Sequence, residues 1–128
     1  MSDQDLISVD SLEWIERFGG GPKQAQYNRV IDDTPPARIL TSVVTVYEVY
    51  GKAKAMRGEH AALENVAALG QTQLVPVDQE IALAAADYSL DIGLHFADAL
   101  IYATARRFHA ELYTSDPALR DLPGVHFV

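Results

Sequence analysis

The chain has 128 residues, 48% of them hydrophobic and 22% charged, with a formal net charge of −8 and no cysteine. That length suits a single domain, residues 1–128, able to bury a core of its own. The lack of cysteine excludes disulfides and thiolate metal sites and fits a reducing cytoplasm, and the acidic balance opposes direct binding to a phosphate backbone unless bound cations offset it.

The first predicted element is a short buried strand, Leu6-Ile7-Ser8-Val9, ending at Asp10. A helix over 11–18 follows, because Trp14, Ile15 and Phe18 recur at helical spacing. Gly19-Gly20-Gly21-Pro22 stops it; without a following Lys-Ser/Thr pair this is a turn and not a phosphate loop. A second helix is expected over 23–33, ended by Thr34-Pro35-Pro36. Arg38-Ile39-Leu40-Thr41 reads as the second strand, and Ser42 as the cap of a helix over 43–57 that Gly58 ends. Residues 59–69 form a further helix with Gly70 as its stop. Gln73-Leu74-Val75-Pro76-Val77 is a third strand, placed near an edge by its proline. Asp78 caps an alanine-rich helix running to about Asp91, and another helix spans 96–109. Leu112-Tyr113-Thr114 is the fourth strand, 117–122 a short helix, and 125–128 a closing strand. Strands alternating with helices indicate an α/β fold, a mainly parallel sheet of four to five strands with helices on both faces. No apolar run approaches a membrane span, and no basic stretch leads into an apolar core at the start, so neither a membrane partner nor a secretory signal is expected.

Four acids stand out by position. Asp10 ends the first strand and Asp116 follows the fourth, and ligands of open parallel sheets bind beyond the carboxyl ends of strands. Asp98 heads an otherwise apolar helix, and Glu48 lies among Val44, Val46, Tyr47, Val49 and Tyr50. Each has an ordinary explanation. Asp10 and Asp116 suit helix N-caps, the latter followed by Pro117. Asp98 suits the positive end of its helix dipole, and Glu48 can pair with Lys52 on a solvated stripe shared with Thr41 and Thr45. If the four converge, their mutual repulsion calls for a hard divalent cation, and oxygen-only donors favour Mg²⁺ or Mn²⁺. Such a centre suits hydrolysis of a phosphodiester.

Val9-Asp10-Ser11, Val46-Tyr47-Glu48-Val49-Tyr50, Phe96-Ala97-Asp98-Ala99-Leu100-Ile101 and Tyr113-Thr114-Ser115-Asp116 occur in the order seen in PIN-domain proteins. The chain resembles VapC-type toxins of bacterial toxin–antitoxin pairs over almost its whole length. The resemblance implies a three-layer PIN-like fold and a Mg²⁺- or Mn²⁺-dependent endoribonuclease, acting on RNA such as tRNA or rRNA. It also implies a homodimer, and a small cognate antitoxin whose C-terminal arm blocks the site. By the same resemblance Asp10 and Asp98 are the principal metal ligands, Glu48 and Asp116 complete the catalytic cluster, and Thr114 is a supporting hydroxyl. The sequence departs from the pattern in its short acidic start and in Leu12, where a polar residue often stands.

Two other readings use the same residues. One is a non-catalytic PIN-fold module that binds a partner protein; the intact set of four acids argues against it. The other is a metal-dependent nuclease or phosphatase with a non-RNA substrate. His60, His95, His109 and His126 lack metal-ligand spacing, and Lys52, Lys54, Arg57, Arg106 and Arg107 read as helix-surface charge. Trp14, Tyr47 and Tyr50 are expected in the core or at a dimer contact.

Overall fold

In the computed structural model, which describes residues 5–21 and 24–128, the elements follow the expected alternation. They are β1 (Ile7–Val9), α1 (Ser11–Gly19), α2 (Gln24–Asp32), β2 (Ile39–Ser42), α3 (Val43–Arg57), α4 (Glu59–Leu69), β3 (Gln73–Val75), α5 (Gln79–Ile92), α6 (Phe96–Arg107), β4 (Glu111–Thr114) and β5 (Val125–Phe127). The expected start of the second helix at Lys23, Pro22 of the glycine turn, and most of the acidic extension lie outside the described residues.

Among the described residues the five strands form one sheet in the order β3-β2-β1-β4-β5, every pairing parallel. The chain lays β2 and β3 to one side of β1 and then crosses to β4 on the other. The order in which strands are added reverses between β1 and β4, and the crevice there opens at their carboxyl ends, where open parallel sheets bind ligands. Val9 pairs with Tyr113 across that point.

Alternating side chains feed two cores. Ile39 points to a cluster with Val9, Trp14, Ile31, Val49 and Leu69, built by the helices before β3. Its neighbour Leu40 points to the opposite cluster with Val75, Ile81, Leu112 and the apolar run of α6. That is the three-layer arrangement expected of the pattern. Helix α6 is buried from Ala99 to Ala105, as an element apolar on all sides must be. Its small residues allow close approach to β2 and β4.

Some boundaries differ from expectation. Arg38 belongs to a 3₁₀ turn, Pro36–Arg38, so β2 starts one residue later and ends at Ser42. Ser42 still caps α3, accepting from the Val44 N–H at 3.1 Å. The segment after β4 is a single 3₁₀ turn, Pro117–Leu119, rather than a short helix, because a second glycine-containing turn follows at once. β3 is an edge strand as expected, but it ends at Val75, before Pro76, and not at Val77.

Candidate metal centre

Three of the four acids come together at the crevice. One carboxylate oxygen each from Asp10, Asp98 and Asp116 lies within 4.8 Å of the others. Asp10 arrives on the end of β1, Asp116 on the loop leaving β4, and Asp98 on the first turn of α6. Glu48 lies outside that triangle but close enough to repel both Asp10 and Asp98.

The ordinary roles and the cluster coexist. Asp10 is the N-cap of α1, its Oδ1 accepting from the Ser11 N–H at 2.8 Å. Its Oδ2 accepts from the Thr114 hydroxyl, also at 2.8 Å. Asp116 caps the following 3₁₀ turn through the Ala118 N–H at 2.9 Å. Thr114 is fully buried; its Oγ1 donates to Asp10 and accepts from the Asp116 N–H at 3.0 Å, so one hydroxyl ties the ends of β1 and β4 together. Glu48 corrects the expectation of a solvated stripe. Thr41 and Thr45 are buried, and Glu48 accepts from Ser11 Oγ at 2.6 Å instead of pairing with Lys52. The helix turns that face inward because Val49 and Ala53 must reach the core. Ser11 thus holds Asp10 with its N–H and Glu48 with its hydroxyl.

The electrostatics are one-sided. Burial pushes the Asp10 carboxyl above its ordinary range, and Glu48 and Asp116 add to this against the lowering effect of Thr114 and Ser11. Asp98 is raised to about 7, first by burial, then by its hydrogen-bonded contact with and repulsion from Asp116, then by Asp10 and Glu48. Among the described residues no ion pair reaches Asp10, Glu48, Asp98 or Asp116. Carboxylates crowded without a counter-cation repel one another until one takes up a proton or a cation. The donors are oxygen alone, which suits a hard divalent ion and not a thiophilic metal.

One more acid stands here that its sequence context does not single out. Glu13 is fully buried, and burial followed by repulsion from Asp10 raises it to about 7. Its Oε1 accepts from both the N–H and the hydroxyl of Ser115, each at 2.8 Å. A lone Glu in the first turn reads as a dipole partner. The available signal is its position one helical turn beyond Asp10.

The sequence pattern of the PIN domain family matches residues 7–125. The chain belongs to the PIN domain family. No curated protein matches it by sequence. Among solved structures, this PIN domain is similar to a chain of a toxin–antitoxin complex from Klebsiella pneumoniae, at 25% identity and a TM-score of 0.81, covering 95% of this chain and 99% of that one. It also resembles VapC20 of Mycobacterium tuberculosis, a Sarcin-Ricin loop cleaving toxin, at 19% identity over 82% of this chain and 85% of that one, with a TM-score of 0.72. A DNA-bound VapBC from Salmonella typhimurium gives a TM-score of 0.73 at 14% identity, covering 97% of each chain. The last two share the fold.

Several of the remaining candidates of this PIN domain have partners of their own. His60 pairs with Glu64 and His126 with Glu111, while Lys54 and Arg107 pair with Glu59 and Glu80. Trp14 is a core residue, whereas Tyr47 is 80% exposed. No helix among the described residues is long and apolar enough to cross a membrane.

Proposed function

We propose that this PIN domain is a metal-dependent endoribonuclease and the toxin of a toxin–antitoxin pair. The observation that carries the reading is the triangle of Asp10, Asp98 and Asp116, closed to within 4.8 Å at the crevice of a parallel sheet, with no basic side chain paired to it among the described residues. Asp10, Asp98 and Asp116 would hold Mg²⁺ or Mn²⁺, with Glu48 reaching the same centre through water. When bound, the ion supplies a nucleophilic water and neutralises charge on the reacting phosphate. Thr114 and Ser11 keep the carboxylates aimed, so little reorganisation is needed when a phosphodiester arrives. RNA, tRNA or rRNA among it, is the substrate class, in line with the Sarcin-Ricin loop cleaved by the VapC20 relative.

The partner of this reading is a small antitoxin. A mainly apolar groove runs from Ser11 and Glu48 between α1 and α3, past Leu12, Ile15, Tyr47 and Tyr50. An arm lying there would cover the approach to the acids, and the Klebsiella pneumoniae and Salmonella typhimurium neighbours are toxin–antitoxin assemblies. A homodimer in a reducing cytoplasm completes the proposal.

The deciding experiment incubates pure protein with total cellular RNA and Mn²⁺ and maps new 5′ ends, with Asp98→Asn as control. Cleavage by the wild type alone supports the reading. Equal cleavage by both proteins overturns the site assignment. Absence of cleavage by either, with Mn²⁺ bound, favours the non-catalytic interaction module or a non-RNA phosphoester.

A further inference from the structure

We propose that Glu13 is a positioning residue that clamps the loop leaving β4 onto α1 and thereby fixes Asp116 in the metal centre. This rests on the metal-centre reading of Asp10, Asp98 and Asp116.

Both donors of Ser115 converge on one oxygen of Glu13, the N–H and the hydroxyl each at 2.8 Å. Ser115 stands between Thr114, whose hydroxyl holds Asp10, and Asp116, whose N–H rests on that hydroxyl. The two attachments form a closed ring. Asp10 and Glu13 sit one turn apart at the head of α1, and Thr114 and Ser115 are the adjoining residues of β4 and its exit. Rotation of the loop about Thr114 alone would swing Asp116 out of reach of Asp10 and Asp98. The second attachment at Ser115 removes that freedom.

The choice of residue strengthens the case. Glu13 has no solvent exposure, and its Oε2 is buried without a hydrogen bond in good geometry, with the Tyr27 hydroxyl beside both Glu13 and Ser115. An orphaned buried polar atom is costly, and an apolar residue of similar size in such a place is often neutral or stabilising. Glu13 also adds a fifth acid beside Asp10. What Glu13 contributes to stability is its pair of bonds to Ser115, offset by the orphaned Oε2 and by repulsion from Asp10. What the site uses is the acceptor oxygen, and its task is Ser115.

The test compares wild type with Glu13→Val, Glu13→Met and Glu13→Gln. It measures metal-free melting temperature, amide hydrogen exchange at Ser115 and Asp116, and Mn²⁺ affinity by calorimetry. The expected result is a Val or Met variant that melts no lower than wild type, exchanges the Ser115 amide at least about tenfold faster, and binds Mn²⁺ about tenfold more weakly, the scale of effect seen when a ligand's support is removed. Glu13→Gln keeps an acceptor oxygen and stays within about threefold of wild type. Unchanged Ser115 exchange in the Val and Met variants overturns the clamp. Faster exchange with unchanged Mn²⁺ affinity overturns its link to the metal centre. Failure of both apolar variants to fold overturns the argument that the carboxyl is dispensable for stability. A wild type that takes up no Mn²⁺ overturns the metal-centre reading and the positioning role with it, an outcome distinct from equal Mn²⁺ binding by wild type and variants.

Discussion

The two ends of the sheet carry charge in opposite ways. At the amino end, Asp5, Asp33, Arg38, His109, Glu111 and His126 line one cavity, mixing both signs, and His126 pairs with Glu111 at 3.2 Å. At the carboxyl end Asp10, Glu13, Glu48, Asp98 and Asp116 gather with hydroxyls of Ser11, Thr114 and Ser115, and no basic partner joins them among the described ion pairs. Charge balanced locally is what a solvated surface tolerates at little cost or gain. Charge left unbalanced and half buried is held in place by the fold for some other purpose. The contrast singles out one end of the molecule for chemistry without reference to any relative.

The largest effect should come from removing one of the uncompensated acids. Asp10→Asn and Asp98→Asn should each lower RNA cleavage by roughly 10²–10³-fold, the scale for losing one preorganised electrostatic contact. Glu111→Gln at the other end should leave the rate within about twofold; initial rates on a labelled RNA check all three. Full activity in Asp98→Asn breaks the comparison.

Next in size is the response to metal. Mn²⁺ at a hundred times its dissociation constant should stabilise the wild type by about 2.7 kcal/mol, a rise of roughly 10 °C in melting temperature. Chelator should reverse it, and Asp98→Asn should lose most of it. Equal shifts in wild type and Asp98→Asn would place the ion elsewhere.

The metal-free protein should also respond to pH. Asp98 and Glu13 are both raised to about 7, well above their values in an unfolded chain. Between about pH 4 and 7 the folded state therefore binds more protons than the unfolded state, and stability falls as pH rises through that window. Thermal melts in chelator should give a higher melting temperature at pH 5 than at pH 8. Asp98→Asn should flatten this slope and melt a few degrees above metal-free wild type at pH 8, on the order of 1 kcal/mol. A large loss of stability would support the helix-dipole reading of Asp98.

The smallest effect belongs to the amino end. His126→Ala removes one exposed contact with Glu111 and its stacking on Tyr113, and should cost about 1 kcal/mol or less, with cleavage unchanged. A measurable loss of cleavage would mean the two ends are coupled.

Most of this contrast was legible in the sequence. The strands could be read because β-branched and apolar runs alternate with helical periods, and the edge position of β3 followed from Pro76. Asp10, Asp98 and Asp116 were legible because strand ends and a helix head are places where topology converges. Glu48 is expected both in the converging set of acids and on a solvated stripe, and spacing cannot tell a solvated threonine stripe from a buried one; the burial of Thr41 and Thr45 is decided by the layer above them. Glu13 was not read at all. Its partner Ser115 is 102 residues away, and its place one turn beyond Asp10 is the one local signal. The turn after β4 was read too long because Asp116-Pro117 opens an α-helix and a 3₁₀ turn equally well.

The bond between Thr114 and Asp10 joins positions 104 residues apart. Asp10, Glu48 and Asp98 are all synthesised before β4, yet the hydroxyl that aims Asp10 and the acid that completes the triangle come after it. Such distant pairings form late in folding, once the intervening chain has organised. A partly synthesised chain therefore carries Asp10, Glu48 and Asp98 before the hydroxyl and the acid that complete their arrangement exist.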